Sequence, residues 1–131
     1  MGIPILSRRA SIGLLLGAYS MLGLLVASIG PALAPFAAQT GSAKSAVGGI
    51  MSVLSIASLA SQLVAGPLAD RLSPRPVLVG SVALFGAGML GLALSPSLVW
   101  LYTMIAIAGL GHGSLVVSAH VLIAQLGPER K

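Results

Sequence analysis

The chain has 131 residues, of which 56% are hydrophobic and 7% charged, and its mean hydropathy is +1.05. A soluble domain carries about 25% charged residues, so a chain this poor in charge is predicted to lie in a membrane. The absence of cysteine excludes disulfides and thiol chemistry. Seven basic and two acidic residues give a net charge of +5. The basic residues are scattered along the chain, which argues against a nucleic-acid partner.

The first apolar segment follows Arg8 and Arg9 and stays uncharged as far as Ala43. This run is longer than the roughly 7–15-residue apolar region of a secretory signal. We therefore predict a first membrane helix over residues 11–33, ended by Pro31 and Pro35. Small residues recur along it every three or four positions, which favours close packing between helices in lipid.

The second apolar segment predicts a membrane helix over residues 46–69. Its serines at positions 52, 55, 58 and 61 share one side of the helix with Gln62 and Gly66. Because lipid offers no partners to such side chains, this side is predicted to meet protein or a water-filled cavity.

The third segment, from Pro76 to Pro128, carries no charged residue. A single helix of that length would measure about 80 Å, against a hydrocarbon core of roughly 30 Å. Two spans are therefore required, over residues 77–94 and 98–126, with the break at Ser95-Pro96-Ser97. The four spans predict an all-α integral membrane protein whose residues 1–131 form a single membrane domain.

The distribution of charge predicts the orientation of these spans. One side of the predicted topology carries six basic residues, and the other carries Lys44 alone; the six are Arg8, Arg9, Arg71, Arg75, Arg130 and Lys131. Basic residues accumulate on the cytoplasmic side of membrane proteins. We expect a multi-pass protein of the plasma or inner membrane with both termini in the cytoplasm.

The charged stretch between the second and third spans, Gly66-Pro-Leu-Ala-Asp-Arg-Leu-Ser-Pro-Arg75, resembles a known loop signature. Transporters of the major facilitator superfamily carry roughly G-x-x-x-D-R-x-G-R-R after their second span. Gly66, Asp70, Arg71 and Arg75 match that pattern, while Ser73 stands at its second glycine. The resemblance implies that the chain corresponds to the first third of a twelve-helix fold. It also implies that this loop helps to bias the carrier between its outward-open and inward-open states.

The fourth span supplies the candidate site. Gly109-Leu-Gly-His112-Gly113 resembles the glycine-rich fourth span of the same family, although Ile105 stands where proton-driven drug antiporters carry an arginine. His112 lies in the middle of this span, and an ionisable group at that depth is a functional candidate. His112 and Gln62 are the candidate substrate or proton contacts, and structural packing of His112 is the alternative. His120 lies about 12 Å further along the helix, too far to share a metal ion with His112.

The resemblance implies transmembrane transport of a small solute by a secondary transporter of this family. Because the chain corresponds to only its first spans, we expect a fragment that is inactive alone and needs the remaining spans or another membrane subunit. The alternatives are a small four-span membrane subunit and a dimeric small-multidrug-type carrier, although the first span lacks the acid on which such carriers depend. Lipid and a small solute are the expected partners. The sequence indicates no catalytic residue, no cofactor and no metal, and hence no enzyme.

Overall fold

The computed structural model describes residues 8–125 of the chain. These residues form five helices: α1 (Arg8–Thr40), α2 (Lys44–Gly48), α3 (Ile50–Leu72), α4 (Pro74–Ala93) and α5 (Leu98–Gln125). No strand occurs between residues 8 and 125. Four segments are long and apolar enough to cross a membrane: Leu22–Thr40, Lys44–Leu72, Pro76–Ala93 and Leu98–Ala124. The prediction of an all-α protein with four such helices is confirmed, while the predicted end of the fourth span at Leu126 lies outside the described residues.

The first helix does not end at its prolines, as the sequence predicted. α1 continues through Pro31 and Pro35 to Thr40, so the predicted boundary at Leu33 is wrong. Each proline removes one backbone hydrogen bond. Leaving the helix inside hydrocarbon would expose several unpaired backbone groups instead, which costs more. The helix therefore continues through both prolines.

The second span consists of two helices, α2 and α3, which meet at Gly49. The Tyr102 hydroxyl of α5 donates a hydrogen bond to the Ala46 carbonyl oxygen over 2.6 Å. A Cβ atom built at Gly49 would collide with that hydroxyl. Glycine thus makes room for an aromatic side chain at the point where the helix is interrupted. The span covers Lys44–Leu72 rather than the predicted 46–69.

The charged stretch between the second and third spans is mostly helical rather than a loop. Asp70 and Arg71 belong to the last turn of α3, and α4 begins at Pro74, so only Ser73 joins the two helices. Proline suits the first helical position because its missing N–H group would have no partner there. The third helix consequently covers residues 74–93 rather than the predicted 77–94.

The fourth predicted span, α5, is the central helix, because it packs along both α3 and α4. Leu101, Ile105 and Ala108 on this helix are completely buried. A larger share of α5 is buried than of any other membrane-spanning segment of the described chain. Side chains on α5 are therefore the ones held most firmly by neighbouring helices.

Candidate functional site

Glycines let α5 approach both of its neighbours closely. A Cβ atom at Gly109 would lie 2.7 Å from the Leu54 carbonyl oxygen of α3, and one at Gly113 would collide with the Ser58 carbonyl oxygen. On the α4 side, a Cβ atom at Gly111 would lie 2.7 Å from the Cα atom of Phe85. Gly109 and Gly113 thus serve the contact with α3, and Gly111 serves the contact with α4. His112 stands between these contacts.

This close approach brings His112 against two polar side chains of α3. The His112 Nδ1 atom lies 3.1 Å from the Ser58 Oγ atom. The Gln62 Nε2 atom donates to the same Oγ atom over 3.3 Å. His112 and Gln62 are half-buried, and Ser58 is buried. The two predicted site residues therefore meet through a serine, and we call these three side chains the Ser58 cluster.

The polar side of α3 divides into two parts. Ser61 is buried and donates a hydrogen bond to the Leu110 carbonyl oxygen over 2.5 Å, and it is also hydrogen-bonded to Ser114. Ser52 and Ser55 are exposed, and the Ser55 hydroxyl donates to the Met51 carbonyl oxygen of its own helix. The predicted contact with protein therefore holds for Ser58 and Ser61 and not for Ser52 and Ser55.

The Ser58 cluster has hydrogen-bonding capacity to spare. A serine hydroxyl provides one hydrogen and two lone pairs, and Gln62 occupies one lone pair. The remaining hydrogen can be donated to Nδ1 of His112, which places the imidazole hydrogen on Nε2. In surroundings of low dielectric, such groups interact strongly with a polar solute. The arrangement of the Ser58 cluster suits binding of a small polar molecule. The described residues contain no group of side chains that could hold a metal ion.

The charged residues Asp70 and Arg71 of the predicted gating motif lie apart from the Ser58 cluster, whereas Gly66 lies one helical turn from Gln62. Asp70 comes eight residues after Gln62, about 12 Å further along α3. The side chains of Asp70 and Arg71 are exposed, and Gly66 is partly buried. The side chain of Arg75 lies outside the described part of the chain. The structure therefore separates Asp70 and Arg71 of the predicted gating motif from the candidate contact residues along the helix axis.

Sequence reasoning missed the conformation of Ser73, which has φ 72° and ψ 152°. This region of backbone space is essentially restricted to glycine, because a Cβ atom is crowded there. The signal was present in the sequence, since Ser73 occupies the second glycine of the motif. The structure supplies the physical reason for a glycine at that position.

A second polar contact, between α1 and α5, was also missed. The Tyr19 hydroxyl donates to the Val116 carbonyl oxygen over 2.8 Å and lies 3.0 Å from the Nδ1 atom of His120. The two rings pack edge to face with centroids 5.6 Å apart. A tyrosine inside the first span was the available signal, but its partner depends on how the helices pack.

These features define a multi-pass helical membrane protein with polar side chains placed between its helices. The sequence pattern of the Major Facilitator Superfamily matches residues 15–131, and the chain belongs to that family. The resemblance drawn from the Gly66–Arg75 stretch is thereby confirmed.

Individual relatives are similar over most of the chain. The 4-hydroxybenzoate transporter PcaK of Pseudomonas putida is 32% identical over 108 residues, which is 82% of this chain and 24% of the relative. An MFS-type transporter of Mycobacterium tuberculosis (strain CDC 1551 / Oshkosh) is 34% identical over 115 residues, 84% of this chain and 17% of the relative. The chain thus spans a quarter or less of the length of these relatives, which are named as transporters rather than enzymes. No solved structure matches the chain.

Proposed function

We propose that the chain forms the first four membrane helices of a secondary transporter that moves a small solute across the cell membrane. In this proposal both termini lie in the cytoplasm, as the distribution of basic residues predicts. The solute is held by the Ser58 cluster, and the Asp70 region helps to set the balance between outward-open and inward-open states. Family membership supports transport as the activity, and the relative from Pseudomonas putida suggests 4-hydroxybenzoate as the first solute to test.

The observation that carries the solute site is the placement of His112. It is an ionisable side chain near the midpoint of α5, half-buried and hydrogen-bonded to Ser58 on the neighbouring helix. Polar groups at that depth cost free energy unless they are paired, and they mark substrate or ion pathways in membrane proteins. Transporters commonly place their sites near the bilayer midplane.

Exposed polar side chains on α3 support the need for further membrane spans. Ser52 and Ser55 are exposed on this helix, and lipid offers no partners to such side chains. Alternating access works by moving one group of helices against another around a central site. We therefore infer that the four helices act together with the remaining spans of a transporter or with another membrane subunit.

The experiment uses the chain joined in frame to the remaining helices of the Pseudomonas putida relative, with uptake of labelled 4-hydroxybenzoate measured in cells. His112→Leu and Gln62→Leu should each lower uptake at sub-saturating solute by about tenfold, the effect of losing a contact worth about 1.4 kcal/mol. Ser52→Ala is the matched control, because Ser52 is an exposed serine on the same helix as Gln62. Membrane abundance of all three variants should equal that of the parent.

Parental uptake by both leucine variants would remove the Ser58 cluster as the solute site. Saturable uptake by the purified 131-residue chain in liposomes would contradict the need for further spans. That result would favour the alternative of a dimeric four-span carrier.

A further inference from the structure

The contact between α1 and α5 contains three polar atoms that lie within hydrogen-bonding distance of one another. The Tyr19 hydroxyl lies 2.8 Å from the Val116 carbonyl oxygen and 3.0 Å from Nδ1 of His120. Nδ1 of His120 also lies 2.7 Å from the Val116 carbonyl oxygen. Among residues 8–125, the side-chain hydrogen bonds that are described between α1 and another helix all involve Tyr19.

This geometry determines which imidazole nitrogen of His120 carries the hydrogen. A carbonyl oxygen can only accept, so a nitrogen 2.7 Å away must be the donor. The Tyr19 hydroxyl donates its own hydrogen to the same carbonyl and keeps a lone pair that faces the Nδ1 hydrogen. The hydrogen of neutral His120 therefore lies on Nδ1, and the lone pair of the ring lies on Nε2. A backbone carbonyl that holds one nitrogen in this way orients the ring and leaves the other nitrogen to react.

We propose that Nε2 of His120 is a proton-accepting site of the transporter at the interface between α1 and α5. His120 is exposed, and Nε2 has no hydrogen-bond partner among the described residues. Taking up a proton at Nε2 breaks neither of the contacts at Nδ1, because Nδ1 keeps its hydrogen in both states. A hydronium ion can transfer its proton to Nε2, which leaves water and makes the ring cationic. An acidic O–H group of a solute can instead donate a hydrogen bond to Nε2 and keep its hydrogen.

Two oxygen atoms face Nδ1 of His120. The Val116 carbonyl oxygen lies 2.7 Å from it and the Tyr19 oxygen lies 3.0 Å from it. Four other titratable side chains are described on α5 or on the helices packed against it: Asp70 and Arg71 in the last turn of α3, and Tyr102 and His112 on α5. Because Gly113 of α5 lies beside Ser58 of α3, Asp70 lies further toward the C-terminal ends of these two helices than His120 does.

The test is solid-state ¹⁵N NMR of the histidine-labelled chain in phosphatidylcholine vesicles, recorded over a range of pH. The chain contains two histidines, so His112→Gln assigns the signals of His120 without touching its partners. At high pH, we expect hydrogen on Nδ1 and an unprotonated Nε2. Lowering the pH should move the Nε2 resonance to its protonated position while Nδ1 stays protonated. Tyr19→Phe should shift the Nδ1 resonance without moving the hydrogen to Nε2.

A second arm distinguishes the two sources of the hydrogen and rests on the proposed function. At a pH where Nε2 is unprotonated, 4-hydroxybenzoate is compared with benzoate, which lacks the hydroxyl group. A shift of Nε2 with 4-hydroxybenzoate alone assigns the hydrogen to the solute, and a response to pH alone assigns it to water. The proposal would be overturned if neutral His120 carried its hydrogen on Nε2, or if Tyr19→Phe left the Nδ1 resonance unmoved. It would also be overturned if the Nε2 resonance responded to neither pH nor solute. The pH arm involves no transport, so it stands even if the proposed function fails.

Discussion

Replacing Ser73 by glycine should stabilise the protein, although the substitution removes a side chain. Ser73 joins α3 to α4 with φ 72° and ψ 152°, and it is exposed. Its side chain makes no hydrogen bond that caps either helix. Glycine therefore relieves a strained backbone and loses no described contact.

The expected gain follows from two opposing contributions. A residue with a Cβ atom in this region is strained by about 1–3 kcal/mol. Glycine loses more backbone entropy on folding, which costs about 0.5–1 kcal/mol. With middle values of about 2 and about 0.75 kcal/mol, the net stabilisation of Ser73→Gly is about 1.25 kcal/mol, or roughly an eightfold rise in the ratio of folded to unfolded protein.

The measurement is unfolding of the purified chain in mixed micelles, followed by loss of helical circular dichroism as the fraction of SDS increases. Ser73→Ala is the matched control, because alanine also lacks the hydroxyl group but keeps the Cβ atom and hence the strain. Its stability should stay near that of the parent. A glycine variant no more stable than the alanine variant would show that the connection between α3 and α4 is unstrained, and would refute the reasoning.

Three further predictions concern packing, topology and the gating motif. Gly113→Ala should lower the stability of the protein by about 1–3 kcal/mol in the same assay, because the new Cβ atom would collide with the backbone of α3. Gly86→Ala should not destabilise the protein, because no atom lies within 4 Å of the position of its Cβ atom. The proposed topology places both termini in the cytoplasm. It predicts that Ser42→Cys reacts with an impermeant thiol reagent added to intact cells and that Ser73→Cys reacts only after permeabilisation, and the reverse pattern would invert the topology. Asp70→Asn in the transporter joined to the remaining helices should change uptake rate severalfold through a shift of about 0–1 kcal/mol between outward-open and inward-open states, with normal membrane abundance. Parental uptake and parental cysteine accessibility in that variant would leave the Asp70 stretch as a topology signal alone.

The candidate site could be predicted in part. An ionisable residue in a long apolar span is visible in any sequence, so His112 could be selected as a candidate, and its role as a substrate or proton contact stays a prediction. Gln62 was identified from its place on the polar side of the second span. Ser58, which joins them, was one of four serines on that side, and sequence spacing alone could not distinguish it from Ser52 or Ser55. That distinction depends on the rotation of α3 about its own axis against α5.

The spans were the most predictable feature, because the length of an apolar run is a local property that can be compared directly with the thickness of a bilayer. The ends of the spans were less predictable. Pro31 and Pro35 break helices in water, but a membrane penalises unpaired backbone groups more heavily, so α1 continues through both prolines.

Only the tertiary structure decided that Gly109 and Gly113 allow close contact with α3 while Gly111 allows close contact with α4. It likewise decided that His112 meets Ser58 and that His120 meets Tyr19. These partners are 54 and 101 positions apart in the chain. Their contacts therefore depend on how whole helices pack, a property that no single apolar run contains.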